Sequence, residues 1–168
     1  LGGLVDLARQ AGNARGIVSD SYPIPVENES FSKIIAAEVL EHVDDAEEFL
    51  RELYRAGKPG AQYLITVPHA VSEQMQSGIA PSSYFRKPNH VRILNKEIFE
   101  SLVLGAGLEI ERYESNGAYW TLWWVFFWNA GVDLSSPDSP LLEAWTTTWS
   151  ELLNTQHALR VKKVLDEY

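Results

Sequence analysis

A short apolar run that leads directly into acidic and imidazole side chains constrains this chain more than any other feature. Residues 34–37 read Ile-Ile-Ala-Ala, the kind of uncharged, β-branched run that is buried in parallel sheets. Glu38, Glu41 and His42 follow at once. In open α/β sheets, ligands bind at the carboxyl ends of the strands. The sequence therefore predicts an α/β fold with a ligand site where this strand ends.

The flanking segments carry ordinary start and stop signals for helices and strands. Asp44 and Asp45 suit the start of a helix and Gly57 its end, while Asn95 suits the start of a later helix. Hydrophobic periodicity completes the pattern. In chain order it predicts a helix at 4–10, a strand at 15–19, the strand at 34–37, a helix from 44 to 57, a strand at 63–67, a helix at 95–105 and a half-buried antiparallel strand at 108–113.

Four short motifs around the apolar run occur together. They are Asp20, Ile24-Pro25-Val26, Ser30-Phe31-Ser32 and the run from Glu38 to Val43. At this spacing they resemble the middle of a class I S-adenosylmethionine-dependent methyltransferase of the type 11 kind, with Ser32 where the family usually has Asp. Residues 51–55 and Lys58-Pro59-Gly60 resemble the following helix and turn. The resemblance implies a Rossmann-like, mostly parallel sheet closed by an antiparallel hairpin.

The resemblance covers roughly residues 4–112, so we expect a partial methyltransferase domain at 1–115. It places the first helix just before the family's third strand. The family's first strand, Gly-rich loop and second strand would then be absent, because Gly2-Gly3 has no strand in front of it. Three explanations remain open: a longer natural chain, a partner that covers the sheet edge, or a decayed relative that binds no cofactor.

The resemblance also implies where S-adenosyl-L-methionine would bind. The Asp20 carboxylate would accept a hydrogen bond from the adenine amino group, with the Ser21 backbone N–H beside the ring. Ala37 and Glu38 would contact the methionine end, and Leu40 would face the adenine. For Asp20, a simple turn role is the alternative.

Glu38, Glu41 and His42 have the spacing of side chains on one helical face. Two carboxylates and an imidazole could hold a divalent metal ion. The pattern also resembles metal-dependent O-methyltransferases, which implies His90 as a fourth ligand. In metal-independent relatives, this His packs or contacts substrate. If the acceptor is a hydroxyl, then His42, His90 or His69 could act as the base.

The segment at 70–89 is long, polar and without clear periodicity. Loops of this length inside a compact domain are usually functional or disordered. We therefore expect a lid over the substrate pocket, with Tyr84, Phe85, Arg86 and His90 as candidate substrate contacts. A plain surface excursion is the alternative.

The last part of the chain, residues 116–168, is predicted to be a helical extension that packs on the domain or on a partner. Residues 117–128 are strongly aromatic and too short for a membrane-spanning helix. A core or dimer-interface helix is the first interpretation, and a peripheral membrane helix the alternative. Beyond Pro140, one helical stretch is predicted with a basic end at 157–163. Its apolar face is Leu141, Leu142, Trp145, Trp149, Leu152 and Leu153.

Composition and charge exclude some classes of binding partner. The chain of 168 residues has a formal charge of -9 and no cysteine, which argues against nucleic acid and against disulfides. No secretory signal opens the sequence, so we expect a cytoplasmic protein. The aromatic segment, as a possible dimer-interface helix, leads us to expect a homo-oligomer. The predicted function is methyl transfer, at oxygen, to a small-molecule, glycan or lipid-linked acceptor. The alternative is a degenerate domain that serves as an interaction module.

Overall fold

The computed structural model describes residues 16–132, 138–152 and 154–166. Its elements alternate between strand and helix at first and are helical thereafter. They are β1 (Phe31–Ala37), α1 (Ala46–Ala56), β2 (Gly57–Thr66), α2 (Ala70–Ser77), a 3-10 turn (Ser82–Phe85), α3 (Lys96–Gly105), α4 (Ala118–Asn129), α5 (Pro140–Leu152) and α6 (Gln156–Asp166). The predicted helix at 4–10 lies outside the described residues.

The sheet is a parallel pair, as expected for two strands joined through a helix. Ile34 lies opposite Tyr63, and Ala37 lies opposite Thr66. Both strands therefore end at the same edge, where the sequence predicts the ligand site. The face away from the core is open, because Ile35 is 72% exposed and its cross-strand partner Leu64 is 56% exposed.

The core lies between this sheet and helices α1 and α3. Its buried members are Ala36, Leu40, Val43, Ala46, Phe49, Leu50, Leu53, Leu94, Val103, Ala106 and Leu108. Both helices have the predicted caps. The Asp45 carboxylate accepts from the Glu48 N–H at 2.9 Å, and the Asn95 side chain accepts from the Ile98 N–H at 2.9 Å.

Three predictions of secondary structure are wrong. The described part of the strand predicted at 15–19, residues 16–19, forms no strand, and neither do residues 108–113, so the described part of the chain has no closing antiparallel hairpin. A segment with strand-like residues becomes a strand only beside a hydrogen-bonding neighbour, and neither segment has one among the described residues. The segment at 70–89 is also more regular than predicted, since it contains α2 and the 3-10 turn.

The aromatic helix is confirmed as α4, and it packs against α2 and α5. Phe127 is fully buried, and the rings of Tyr119 and Trp145 stack at 6.1 Å between α4 and α5. The single helical stretch predicted beyond Pro140 is divided into α5 and α6. Within the described ranges, no helix combines the length and apolar character that a membrane crossing needs.

Candidate active site

The turn after β1 is tied to the end of β2. The Glu38 N–H donates to the Thr66 carbonyl at 3.1 Å, and the Thr66 hydroxyl donates to Glu38 Oε1 at 2.7 Å. Glu38 has a φ of 54°, which is uncommon for a residue other than glycine. These contacts turn the chain before α1 begins at Ala46. The predicted helical face of Glu38, Glu41 and His42 is therefore wrong.

Folding nevertheless brings three of the four proposed metal ligands together. One ligand atom each from Glu41, His42 and His90 lies within 4.8 Å of the others. His42 Nε2 is 3.6 Å from Glu41 Oε1, and the two imidazole rings meet edge to face at 4.8 Å. Glu38 does not belong to this cluster in the described structure, because its carboxylate contacts Thr66. We call these three residues the Glu41 cluster.

Glu41 is the chemically unusual member of the Glu41 cluster. The residue is 1% exposed, and neither carboxylate oxygen has a hydrogen-bond partner among the described residues. Burial raises the pKa of Glu41 to about 7, with a smaller contribution from the nearby charge of Glu38. A carboxyl group with a pKa near neutrality can accept or release a proton at physiological pH.

His90 is held by a carboxylate that the sequence analysis missed. Its Nδ1 lies 2.6 Å from Glu73 Oε2, and Glu73 is 2% exposed on α2. Burial alone would lower the pKa of His90, but the hydrogen bond and charge of Glu73 outweigh it and raise that pKa. The signal in the sequence was weak, since Glu73 and Gln76 are simply three residues apart in a segment predicted to be irregular.

Backbone contacts join the two chain segments that form the Glu41 cluster. The Val91 N–H donates to the Glu41 carbonyl at 2.8 Å. The Arg92 guanidinium donates to the Leu40 carbonyl at 2.9 Å and to the Asp44 carbonyl at 2.6 Å. Arg92, which the sequence analysis also missed, therefore fixes the turn that carries Glu41 and His42.

The residues predicted to hold the cofactor differ in accessibility. Asp20, Ser21, Ala37 and Glu38 are exposed and open to a ligand. Leu40 is fully buried in the core, because it fills the space between β1 and α1. This burial contradicts the prediction that Leu40 faces the adenine. An open groove of about 2350 Å³ runs over the sheet and reaches Glu38 and other residues at the strand ends.

The predicted lid residues do not form an open flap. Tyr84 is buried, and its ring lies 4.8 Å from the His90 ring and 5.2 Å from Trp128 of α4. Phe85 packs edge to face on Tyr84 at 5.0 Å, whereas Arg86 is exposed. The segment is therefore packed between His90 and α4.

Comparison with known proteins finds similarity to methyltransferases. Residues 2–65 match the family model described as the methyltransferase domain. Norajmaline N-methyltransferase of Rauvolfia serpentina is 31% identical over 87 residues, which are 52% of this chain and 27% of that protein. Ajmaline N-methyltransferase of the same organism is 28% identical over 79 residues, which are 47% of this chain and 25% of that protein. The chain thus spans about a quarter of the length of these relatives.

A parallel β–α–β unit with polar groups at its strand ends is a Rossmann-like α/β arrangement. The match of residues 2–65 to the methyltransferase domain model is consistent with this arrangement. The resemblance seen in the sequence is therefore confirmed.

Proposed function

We propose that this protein transfers the methyl group of S-adenosylmethionine to a small-molecule or glycan acceptor whose reacting atom lies beside the Glu41 cluster. One observation carries the proposal. A buried carboxyl group that has no hydrogen-bond partner in the described part of the chain lies beside two imidazoles, just after the carboxyl end of a parallel strand. Such a group is costly to retain without a use, because burying an unpaired polar atom destabilises the fold.

The chemistry needs little beyond alignment and a base. The acceptor lone pair forms a bond to the sulfonium methyl carbon, the carbon–sulfur bond breaks, and its electron pair stays on sulfur. A proton then leaves the acceptor, and His42 or His90, whose side chains are less buried than that of Glu41, is placed to receive it. Holding both reactants in line accounts for most of the remaining rate.

The acceptor atom is the open part of the proposal. A base beside the methyl position favours a hydroxyl, because an alcohol must lose its proton as it reacts. The two relatives are by name N-methyltransferases, which supports an amine instead. Parallel assays with matched hydroxyl and amine acceptors would decide between oxygen and nitrogen.

The Glu41 cluster also fits a divalent metal ion. One carboxylate and two imidazoles are a donor set for Zn²⁺ or Mn²⁺. The bond between Glu73 and His90 is the usual support for a metal-binding histidine. When bound, such an ion would supply Lewis acidity that lowers the pKa of an acceptor hydroxyl. Glu41, His42 and His90 would hold it, without Glu38.

The first experiment titrates S-adenosylmethionine and S-adenosylhomocysteine into the 168-residue chain by calorimetry, with and without Mn²⁺. We expect micromolar binding of both ligands. His90→Asn should then slow methyl transfer by about 10²–10⁴-fold while cofactor affinity stays unchanged. His157→Asn, a change at an exposed histidine of α6, is the matched control. The absence of cofactor binding would refute the catalytic proposal for this chain.

A second candidate function is supported by the open face of the sheet. Ile35 is 72% exposed and Leu64 is 56% exposed, and exposed apolar patches often mark interaction surfaces. The chain would then act as an interaction module, for example within a homo-oligomer. Sedimentation analysis of the oligomer mass would test this. Ile35→Ser should shift any oligomer toward the monomer, whereas Ser32→Ala, a change at an exposed residue of β1, should leave the oligomer mass as in the native protein.

A further inference from the structure

A chain of three hydrogen bonds, centred on two buried side chains, connects the aromatic helix α4 to His90. The Trp128 indole N–H donates to Gln76 Oε1 at 3.0 Å, and Gln76 Nε2 donates to Glu73 Oε1 at 3.1 Å. Glu73 Oε2 then meets His90 Nδ1 at 2.6 Å. The two central residues are almost fully buried, since Gln76 is 1% exposed and Glu73 is 2% exposed.

The groups at the two ends of this hydrogen-bond chain determine which atom donates and which accepts in every bond. An indole nitrogen can only donate, so the carbonyl oxygen of Gln76 must face Trp128. The amide nitrogen of Gln76 must then face Glu73. An ionised carboxylate can only accept, so His90 Nδ1 must carry the hydrogen in the bond to Glu73.

We infer that Glu73, with Gln76 and Trp128 behind it, is a positioning residue that fixes neutral His90 as the Nδ1–H tautomer. The bare nitrogen is then Nε2. His42 and the Glu41 carboxyl group lie beside this ring, within the cluster of ligand atoms. The use of Nε2 as base or metal ligand rests on the proposed function, but the tautomer itself does not.

This inference assigns a role to α2 and α4. Helix α2 supplies both Glu73 and Gln76, and α4 supplies the donor that orients Gln76. The aromatic helix therefore supports the Glu41 cluster through one directed hydrogen bond as well as through packing. A free neutral histidine carries its hydrogen mostly on Nε2. The Nδ1–H tautomer of His90 therefore needs a fixed acceptor such as Glu73 at Nδ1.

The test is nitrogen NMR of the full chain with ¹⁵N-labelled histidine, at a pH above the pKa of His90 and with EDTA present. In the native protein we expect the ¹⁵N signal of His90 Nδ1 to be that of a protonated ring nitrogen, and the signal of Nε2 to be that of an unprotonated one. In Glu73→Gln, Gln76 still points its N–H at residue 73, so the new amide turns its oxygen to Gln76 and its NH₂ to His90. We expect the two ring signals to exchange identity in this variant.

A double variant separates this directed chain from a general loss of structure. In Glu73→Gln with Gln76→Glu, the new carboxylate accepts from both Trp128 and residue 73. The amide oxygen at 73 then faces His90 again. We expect the Nδ1–H tautomer to return, although the composition and net charge equal those of the native chain.

The matched control places the same charge on the solvent side of α2. Glu73→Gln with Gln74→Glu has the same composition as the double variant, but residue 74 is exposed. We expect this control to keep the exchanged tautomer. Near-ultraviolet circular dichroism should show native aromatic packing in all three variants.

Three results would overturn the inference. They are a native Nε2–H tautomer, no exchange in Glu73→Gln, or equal rescue by both double variants. The inference and the proposed function can fail separately. The tautomer is read without cofactor or acceptor, so loss of cofactor binding leaves it intact, and an active enzyme with the wrong tautomer refutes only the role of Glu73.

Discussion

The buried carboxyl group of Glu41 should make the stability of this protein depend on pH in an unusual direction. Most buried carboxylates are paired and stabilise the fold as pH rises. Glu41 has no hydrogen-bond partner for either oxygen among the described residues, and burial raises its pKa. The folded protein therefore favours the protonated form. Glu41→Gln keeps the size of the side chain and removes its ionisation.

The magnitude follows from the pKa of Glu41 in the folded and unfolded states. Folding raises this pKa from 4.5 to about 7. Because one pKa unit corresponds to about 1.4 kcal/mol, ionising Glu41 in the folded protein costs on the order of 3 kcal/mol. Below pH 4.5, both states are protonated and the cost is absent. Between pH 4.5 and 7, only the unfolded state ionises, so the free energy of unfolding decreases. Above pH 7, the cost is complete and constant.

Urea unfolding of the native chain and of Glu41→Gln, at pH 4.5 and pH 8 with EDTA, measures this cost. The buried amide has its own destabilising effect, but it is the same at both pH values and cancels in the comparison. We expect Glu41→Gln to gain roughly 2–3 kcal/mol relative to the native chain between pH 4.5 and pH 8. Glu38→Gln is the control, because its carboxylate is exposed and bonded to Thr66.

One result would refute this reasoning. If the stability difference between Glu41→Gln and the native chain is equal at pH 4.5 and pH 8, Glu41 is not buried without a partner in solution. If Glu38→Gln gains more stability than Glu41→Gln between pH 4.5 and pH 8, the carboxyl group with the raised pKa is Glu38 and not Glu41. Either outcome would also remove the main support for the proposed active site.

Three further predictions use the same unfolding assay. At pH 8, Mn²⁺ at a hundred times its dissociation constant should stabilise the native chain by about 2.7 kcal/mol and Glu41→Gln far less, and equal effects would exclude the Glu41 cluster as the metal site. Phe127→Ala, at a fully buried position, should cost about 3–5 kcal/mol, whereas Trp120→Ala, at a residue 53% exposed, should cost much less. Asp45→Ala should cost about 1 kcal/mol by removing the cap of α1, and Asp44→Ala close to nothing, so equal costs would contradict the assigned cap.

Local signals explain which parts of the fold could be predicted. The strand at 34–37 is marked by its own β-branched and apolar residues. The starts of α1 and α3 are marked by Asp45 and Asn95, whose side chains bond a backbone N–H three residues ahead. Each of these signals lies within a few residues of its effect, and therefore the sequence alone contains it.

The errors occur where distant contacts decide the conformation. Residues 108–113 alternate like a strand, but no strand lies beside them in the described structure. Glu38 is spaced like the first residue of a helical face. Its bonds to Thr66, 28 residues away, instead hold it in a left-handed turn. Tertiary hydrogen bonds override a local periodicity of only one turn.

The candidate site shows the same division between near and distant signals. Glu41 and His42 are adjacent in sequence, and the family resemblance places His90 beside them. Glu73 had no comparable signal, because its importance comes from where α2 lies against His90 and α4. A carboxylate in a polar segment is ordinarily solvated, and only the fold shows that this one is 2% exposed with both oxygens in use. The reactive groups could therefore be proposed from the sequence. The hydrogen bond from His90 to Glu73, which decides which ring nitrogen of His90 is free to react, depends on how α2 packs against α4. This packing is visible only in the structure.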